Sequence, residues 1–502
     1  MKQNLKNLDN VLVRIGSCYV ILPIVIFLLG WIKIYIALPC VAVLVVFGVK
    51  FYQSIATKAT EPQSEISLFS QKNYYFVILS LLIVSLIWVY FSGIGSFVFQ
   101  NGDHHWRNAV YRDLRNYTYP VIYDLSNHPT GILNVENPEN AMLCYYFSWW
   151  LPASFISKMF HFGELGGQIT LYLWASIGVF EAFYLLCRKL GKFTWIVPLI
   201  MIGFSGLDVV IYTVRHNFHI VDHMEWWACF FQYSSNTTQL FWVFNQSIPT
   251  WVIISLLLQT DKSKYVAGLC SLSFAYSVWV TMGMLPIALY KTMKSRKNFL
   301  ESLNVLNMFV PILLLLIYGA FYKSNGVSGG YIGTIFGAKK GKEIIVLLCY
   351  ILFVVFEFFL YILILHKKIK TNEYYSIVLA ELFVIPPIFI ISADFAMRAS
   401  IPALFLLMFY VMKYLYKNIH VTENKIRNAC LIAVLFLGVF TPFTEFSRTI
   451  VNTISAKNSK EYLAEDIWSV GENYKEYGLT NLRNFVAINN DDKFFYKYLM
   501  KK

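Results

Sequence analysis

Apolar stretches long enough to cross a bilayer follow one another along most of this chain. A spanning helix needs about 20 consecutive apolar residues. Such stretches lie at about 12–30, 34–50, 74–92, 168–187, 193–212, 241–259, 304–322, 344–365, 375–392, 401–416 and 428–444. They predict an all-α polytopic membrane protein with about 11–13 transmembrane helices. Pro23 and Pro39 fall inside the first two stretches, where a membrane helix tolerates them. The first span is expected to serve as an uncleaved anchor, because no small-residue cleavage site follows it.

Charge orients the spans. Lys2, Lys6 and Arg14 place the N-terminus in the cytoplasm, and Lys50, Lys58 and Lys72 bring the loop 51–72 back to it. The third span then delivers Asp103 to the outer side. If residues 143–160 crossed inward, Arg188, Lys189 and Lys192 would stand outside, against the positive-inside rule. The segment is therefore expected not to cross. Its crowded rings (Tyr145, Tyr146, Phe147, Trp149, Trp150) suit an interfacial helix. Residues 93–167 then form one large outer loop carrying interfacial helices. A second outer stretch covers 213–240, and residues 445–502 form a small extracytoplasmic tail after a transmembrane domain of 1–444. The apolar piece 265–290 is flanked by basic residues at both ends and is too short for two crossings. It is expected to be two half-helices meeting near Tyr276–Trp279. The loop 323–342 is basic although the scheme puts it outside.

Composition agrees with a membrane protein: 57% of the 502 residues are hydrophobic and 14% are charged. The net charge of +13 fits cytoplasmic loops and anionic headgroups, and no nucleic-acid partner is expected. The eight cysteines show no CxxC spacing. Only Cys144 and Cys229 fall on the outer side, so no disulfide framework is expected.

The polar residues that invite chemistry cluster on the outer side of this scheme. The stretch Asn101–Leu114 reads as a short amphipathic helix with Trp106, Ala109, Val110 and Leu114 on one stripe and Arg107, Arg112 and Arg115 elsewhere. Asp103 opens it, either as a base or metal-contacting acid, or as a helix cap paired with Arg107 one turn on. His104, His105 and Arg107 beside it, Asp208 and Arg215 after the fifth span, and Asp394 with Arg398 are the candidate substrate-binding residues. Glu225 belongs to the same outer group. His216, His219 and His223 are spaced as one helix face and are candidates for a divalent metal; the plainer reading is a wet interfacial helix. Asp394 and Arg398 can equally be a simple helical ion pair. A carboxylate with arginines and aromatic faces suits a phosphorylated lipid carrying a sugar: arginine grips phosphate, rings stack on sugars, and the acid can take a hydroxyl proton. Glu181, Glu357 and Glu381 lie inside predicted spans. Glu181 is near enough to the cytoplasmic end to reach water, whereas Glu357 and Glu381 are what a transporter would use.

The order of these features resembles the glycosyltransferase-C superfamily of polyprenyl-phosphate-sugar-dependent enzymes. GDHHWRNAVYRDL (102–114), YYFSWWLPASFISKMFHFG (145–163), YLLCRKL (184–190) and SFAYSVWVTMGMLPIALY (273–290) carry the likeness, over roughly residues 75–300. It implies a glycosyltransferase with Asp103 as catalytic base or metal-contacting acid, a lipid-linked sugar donor, and a glycan, lipid or protein acceptor at the outer face of the plasma membrane. The chain lacks that family's paired acids at the motif, which leaves sugar and acceptor open. The alternatives are a transporter or flippase of a lipid-linked saccharide, and a surface-polysaccharide polymerase or ligase.

Overall fold

The computed structural model describes residues 2–56, 74–124, 140–216, 223–228, 230–325, 332–390, 394–459, 468–471, 484–488 and 492–501. Among them eight helices are long and apolar enough to cross a membrane: Leu5–Trp31, Ile34–Ile55, Tyr74–Phe91, Glu164–Leu190, Ile196–Arg215, Val305–Lys323, Glu343–Ile369 and Thr422–Ala456. The chain is an all-α multi-pass membrane protein. The other stretches expected to span are shorter or more enclosed. Phe244–Leu257 is buried along its whole length, and Ile401–Asn418 along most of it. These two helices form the centre. Trp251 stacks flat between Trp88 and Phe405, at centroid distances of 5.7 and 6.4 Å, so dispersion between wide rings packs the bundle where lipid offers no hydrophobic drive.

Several helices are broken, each with a physical cause. The stretch expected at 375–392 ends as a helix at Val384, because Pro386 and Pro387 cannot continue it. Its residues Ile388–Ile390 instead pair antiparallel with Ile332–Thr334, which ties down the end of the basic loop 323–342. The piece 265–290 is two helical segments, Val266–Ala275 and Val278–Met293, separated at Tyr276–Ser277, within the stretch where the two half-helices were expected to meet. The span Ile196–Arg215 is interrupted at Phe204–Leu207, and the span Glu343–Ile369 carries a π turn at Val355–Phe359.

The segment 143–160 does not form a spanning helix: Leu151–Met159 has 9 residues. The reason differs from the one expected, however. Phe147, Trp149 and Trp150 are buried rather than interfacial. Trp149 donates its indole N–H to Tyr19, and Phe147 packs on Phe27 and Trp31 of the first helix. The rings left exposed are Phe155, Phe160 and Phe162. The C-terminal region is also not a separate cap. Phe440–Ser459 is a helix packed into the bundle. Val486–Ile488 adds a third strand to the pair Ile122–Asp124 and Asn140–Leu143, and Met500 bridges to Ile32. Cys144 is buried, with its thiol directed at the Phe321 carbonyl. Cys229 lies outside the described residues.

Candidate functional site

Asp103 stands where the chain leaves the third span, and the way its neighbours are pinned explains its position. The Asn101 amide donates to the Phe241 carbonyl at 2.7 Å, and His104 Nε2 meets the same oxygen at 2.9 Å. The Gln100 amide contacts His104 Nδ1 at 3.2 Å. A side-chain amide N–H can only donate, so Nδ1 accepts and Nε2 carries the proton. Burial pushes the His104 imidazole down to about 3, so it is neutral at physiological pH. It works as a structural pin and is absent from the wall of the cavity that Asp103 lines. His105 lies beside Trp106 and is also absent from the cavity wall.

Asp103 does not cap its helix. No side-chain cap bond forms; its Oδ2 accepts from Arg107 Nη2 at 2.9 Å, and the carboxylate is 52% exposed. That ion pair fixes the direction of the carboxylate and leaves half of it open. Arg107 is buried, lies over the Phe244 ring, and its Nη1 has no partner among the described residues. The other two arginines of the helix are buried too. Arg112 and Arg115 both bind Glu164, and that contact seats the Asp103 helix against the fourth spanning helix.

Asp103 opens into a cavity of about 260 Å³. Three further corners of the chain supply the rest of its wall. His223, Met224, Glu225 and Trp226 come from the second expected outer stretch, with Gln232, Thr238, Trp242 and Val243 following. Asp394, Met397 and Arg398 come from the short helix Asp394–Ala399. Thr441, Thr444 and Glu445 come from the helix Phe440–Ser459. Asp394 and Arg398 are paired at 3.7 Å, but Arg398 Nε is buried without a partner among the described residues. Burial opposes the charge on Arg398, while Asp394, Tyr145, Tyr146 and Asp103 together more than offset it and raise its pKa. The His223 ring stacks on Trp226 and meets Trp242 edge-on. Arg448 lies over Trp242, donates to His223 Nδ1 at 3.3 Å and pairs with Glu445.

Two expected site residues stand behind the wall. Asp208 is fully buried and accepts from Ser205, Trp227 and Thr441. Arg215 donates to the Trp227 carbonyl and does not reach the cavity. The metal-ligand reading of the histidines does not hold as a helix face. The helix Asp208–Arg215 stops before the first of them, His216 stacks on Tyr212, and His223 leads into a short turn with φ +59°; His219 lies outside the described residues. Among the described residues no three His, Cys, Asp or Glu side chains gather as a metal site.

Glu445, Arg448, Trp242 and Thr441 were not foreseen. Glu445 and Arg448 lie in a segment whose mixed charge reads as a tail, and only tertiary packing turns it inward. Trp242 could have been found as an aromatic at the mouth of the sixth expected span. Glu225 was foreseen, and it accepts from Ser234, Gln232 and the Ser235 backbone. Burial, followed by the charge of Asp208, pushes its carboxyl up to about 8.

The arrangement is thus a polar chamber in a multi-pass helical bundle, with an exposed acid, an arginine holding an unused donor, and two tryptophan faces. No family model matches the chain, and neither a curated protein nor a solved structure matches it.

Proposed function

We propose that the protein is a membrane glycosyltransferase that moves a sugar from a polyprenyl-phosphate donor to an acceptor at the outer face of the plasma membrane, in cell-envelope glycan synthesis. One observation carries the reading: Asp103 and Arg398, nearly three hundred positions apart, share a single cavity with Trp226 and Trp242. With the N-terminus in the cytoplasm, as the early basic residues favour, this cavity opens outward.

In this reading Asp103 takes the proton of the acceptor hydroxyl as its oxygen attacks the anomeric carbon. The bond from that carbon to the phosphate oxygen breaks, and its electron pair leaves with the phosphate. Arg398, with its unused Nε–H, receives the growing phosphate charge through charge-assisted hydrogen bonds. Arg107 holds the Asp103 carboxylate in place through their ion pair. Trp226 and Trp242 offer faces for the sugar.

The test is transfer of radiolabelled sugar from polyprenyl-phosphate donors in membranes. Asp103→Asn removes the proton acceptor but keeps the shape. Transfer is expected to fall by about 10²–10⁴-fold, the usual worth of a positioned base, with the amount of folded protein unchanged. Undiminished transfer by that variant would remove Asp103 from the mechanism.

A transporter or flippase of a lipid-linked saccharide is the second reading. It is favoured by Glu357 and Glu381, which are buried in spanning or apolar helices and keep carboxyl oxygens without partners among the described residues. A polymerase or ligase binding two lipid-linked glycans would need both Arg215 and Arg398 in the chamber, and Arg215 is engaged with Trp227 instead.

A further inference from the structure

A second cavity, of about 410 Å³, lies at the far end of the helix that Asp103 opens. Its wall comes from the helix end Arg115–Thr118, from Ser157 and Lys158 of the helix Leu151–Met159, and from His161 and Phe162 just beyond it. None of these residues lines the first cavity. The wall holds three basic side chains, Arg115, Lys158 and His161, and no acid among the described residues.

Carbonyls at a helix end would repel an anion if they were open. Here donors cover them. The Phe162 N–H meets the Ser157 carbonyl at 2.9 Å and the His161 N–H meets that of Lys158 at 3.2 Å. Arg115 takes the Phe162 and Gly163 carbonyls, and Lys158 takes that of Tyr117. Arg115 is buried and also holds Ser157 and Glu164, so it shapes the wall without reaching out. Lys158 differs. Its ammonium has three N–H donors, lies 3.6 Å from the centre of the Tyr119 ring and gives one hydrogen bond, to Tyr117. Burial alone pushes it down to about 8. A charge held partly out of water, with no acid beside it, is stabilised by an arriving anion.

The rim of this cavity is apolar and exposed. Phe160 and Phe162 stack at 5.6 Å on either side of His161, and Phe155 and Met159 are exposed on the helix before them. The spanning helix Glu164–Leu190 begins here. Along it Leu165, Ile169, Leu173 and Ile177 are exposed, each one turn from the last. In a bilayer such a stripe faces acyl chains, and the end of the spanning helix lies at the level of the headgroups. A basic cavity therefore stands at the head of a lipid-facing stripe.

We propose that this cavity binds the phosphodiester head of an anionic phospholipid. Lys158 and His161 donate to the phosphate oxygens. Asn116 and Thr118 meet the hydroxyl groups of the head, and the acyl chains run over Phe162 and the stripe from Leu165 to Ile177. A zwitterionic head would bring a second cation to a wall that has no acid for it. The site does not rest on sugar transfer. Because the Asp103 helix ends in this wall, a lipid held here stabilises the fold on which Asp103 stands.

The test is the melting temperature of the purified full-length chain in neutral detergent, titrated with dioleoylphosphatidylglycerol, with dioleoylphosphatidylcholine or with glycerol 3-phosphate. The first should raise the melting temperature to a plateau, and the other two should not. Lys158→Gln should raise the concentration needed for half the effect by about tenfold, roughly the worth of one hydrogen bond to a charged group. Lys340→Gln, an exposed cation elsewhere, should leave the titration unchanged. If Lys158→Gln does not fold, His161→Asn takes its place, since asparagine tolerates the left-handed backbone at φ +50°; it should weaken the response in the same direction. An equal response to the phosphatidylcholine, or none to the phosphatidylglycerol, overturns the proposal. So does a response that the Lys158 or His161 variant leaves intact, or that Lys340→Gln weakens as much. An equal response to glycerol 3-phosphate would make the occupant a free phosphate and overturn the lipid assignment.

Discussion

Asp103 and His104 are neighbours in the chain, and the fold puts them to different uses. The histidine is spent on the Phe241 carbonyl, while the acid keeps an open side toward the cavity. Nothing in the string NGDHHW separates the two, because the difference lies in what the helix Asn236–Trp242 brings to them. Glu225 shows the same dependence and yields a pH prediction. Its carboxyl is raised from 4.5 to about 8 in the fold, so between those values the folded state binds more protons than the unfolded one. Stability therefore falls as pH rises through this window and is level above it. Glu225→Gln has no proton to lose. Its melting temperature should change less than that of the wild type between pH about 5 and about 8, measured in the same detergent. Parallel melting curves for the two proteins would mean that Glu225 is not held protonated.

At the scale of elements, the two half-helices around Tyr276–Ser277 are the part most clearly written in the sequence, since basic residues at both ends forbid a simple crossing. Their purpose was not legible. The second of them, Val278–Met293, packs against the helix Asp394–Ala399 through Gly283, where a Cβ would meet the Ala399 carbonyl oxygen at 2.0 Å. Trp279 meets Phe395 edge-on beside this contact. The hairpin is thus the floor on which Arg398 stands. Gly283→Leu should cost about 1–3 kcal/mol by overpacking a backbone contact, seen as a lower melting temperature. Under the proposed sugar-transfer function, it should also reduce transfer by moving Arg398. Full transfer and wild-type melting in this variant would show that the hairpin does not position that arginine. The breaks at Phe204–Leu207 and Val355–Phe359 left no sequence signal of comparable strength. A mostly apolar run of this length reads as one helix, and the two breaks pack against each other through the Leu207 N–H and the Phe356 carbonyl.

For the whole molecule, the basic run CRKLGK predicted an inward-facing loop, and it carries a second duty. Arg188 binds the buried Asp9, the Ile55 carbonyl and Gln259, joining four segments at the end of the bundle away from the cavity. Breaking a buried pair leaves an uncompensated charge. Asp9→Ala should therefore cost about 3–5 kcal/mol, read as a fall in melting temperature, while Arg14→Ala, at an exposed arginine, should cost far less. Equal losses would mean that Arg188 acts only through topology. The region after residue 444 reads differently in sequence and in the fold. Its mixed charges look like a solvated tail, yet Phe440–Ser459 completes the cavity and the last residues join the sheet of the first large loop.

The sequence by itself determined that the chain lives in a membrane, roughly where its helices lie, and that residues 143–160 and 265–290 form no ordinary spans. Hydrophobic length and the placement of lysine and arginine are local quantities, and the bilayer reads them locally. Tertiary structure alone decided which polar residues share a space. Asp103, Glu225, Arg398 and Glu445 come together, while His104, Asp208 and Arg215 are drawn into supporting contacts. That division depends on which backbone carbonyls and buried charges each side chain meets, and those partners lie far away along the chain.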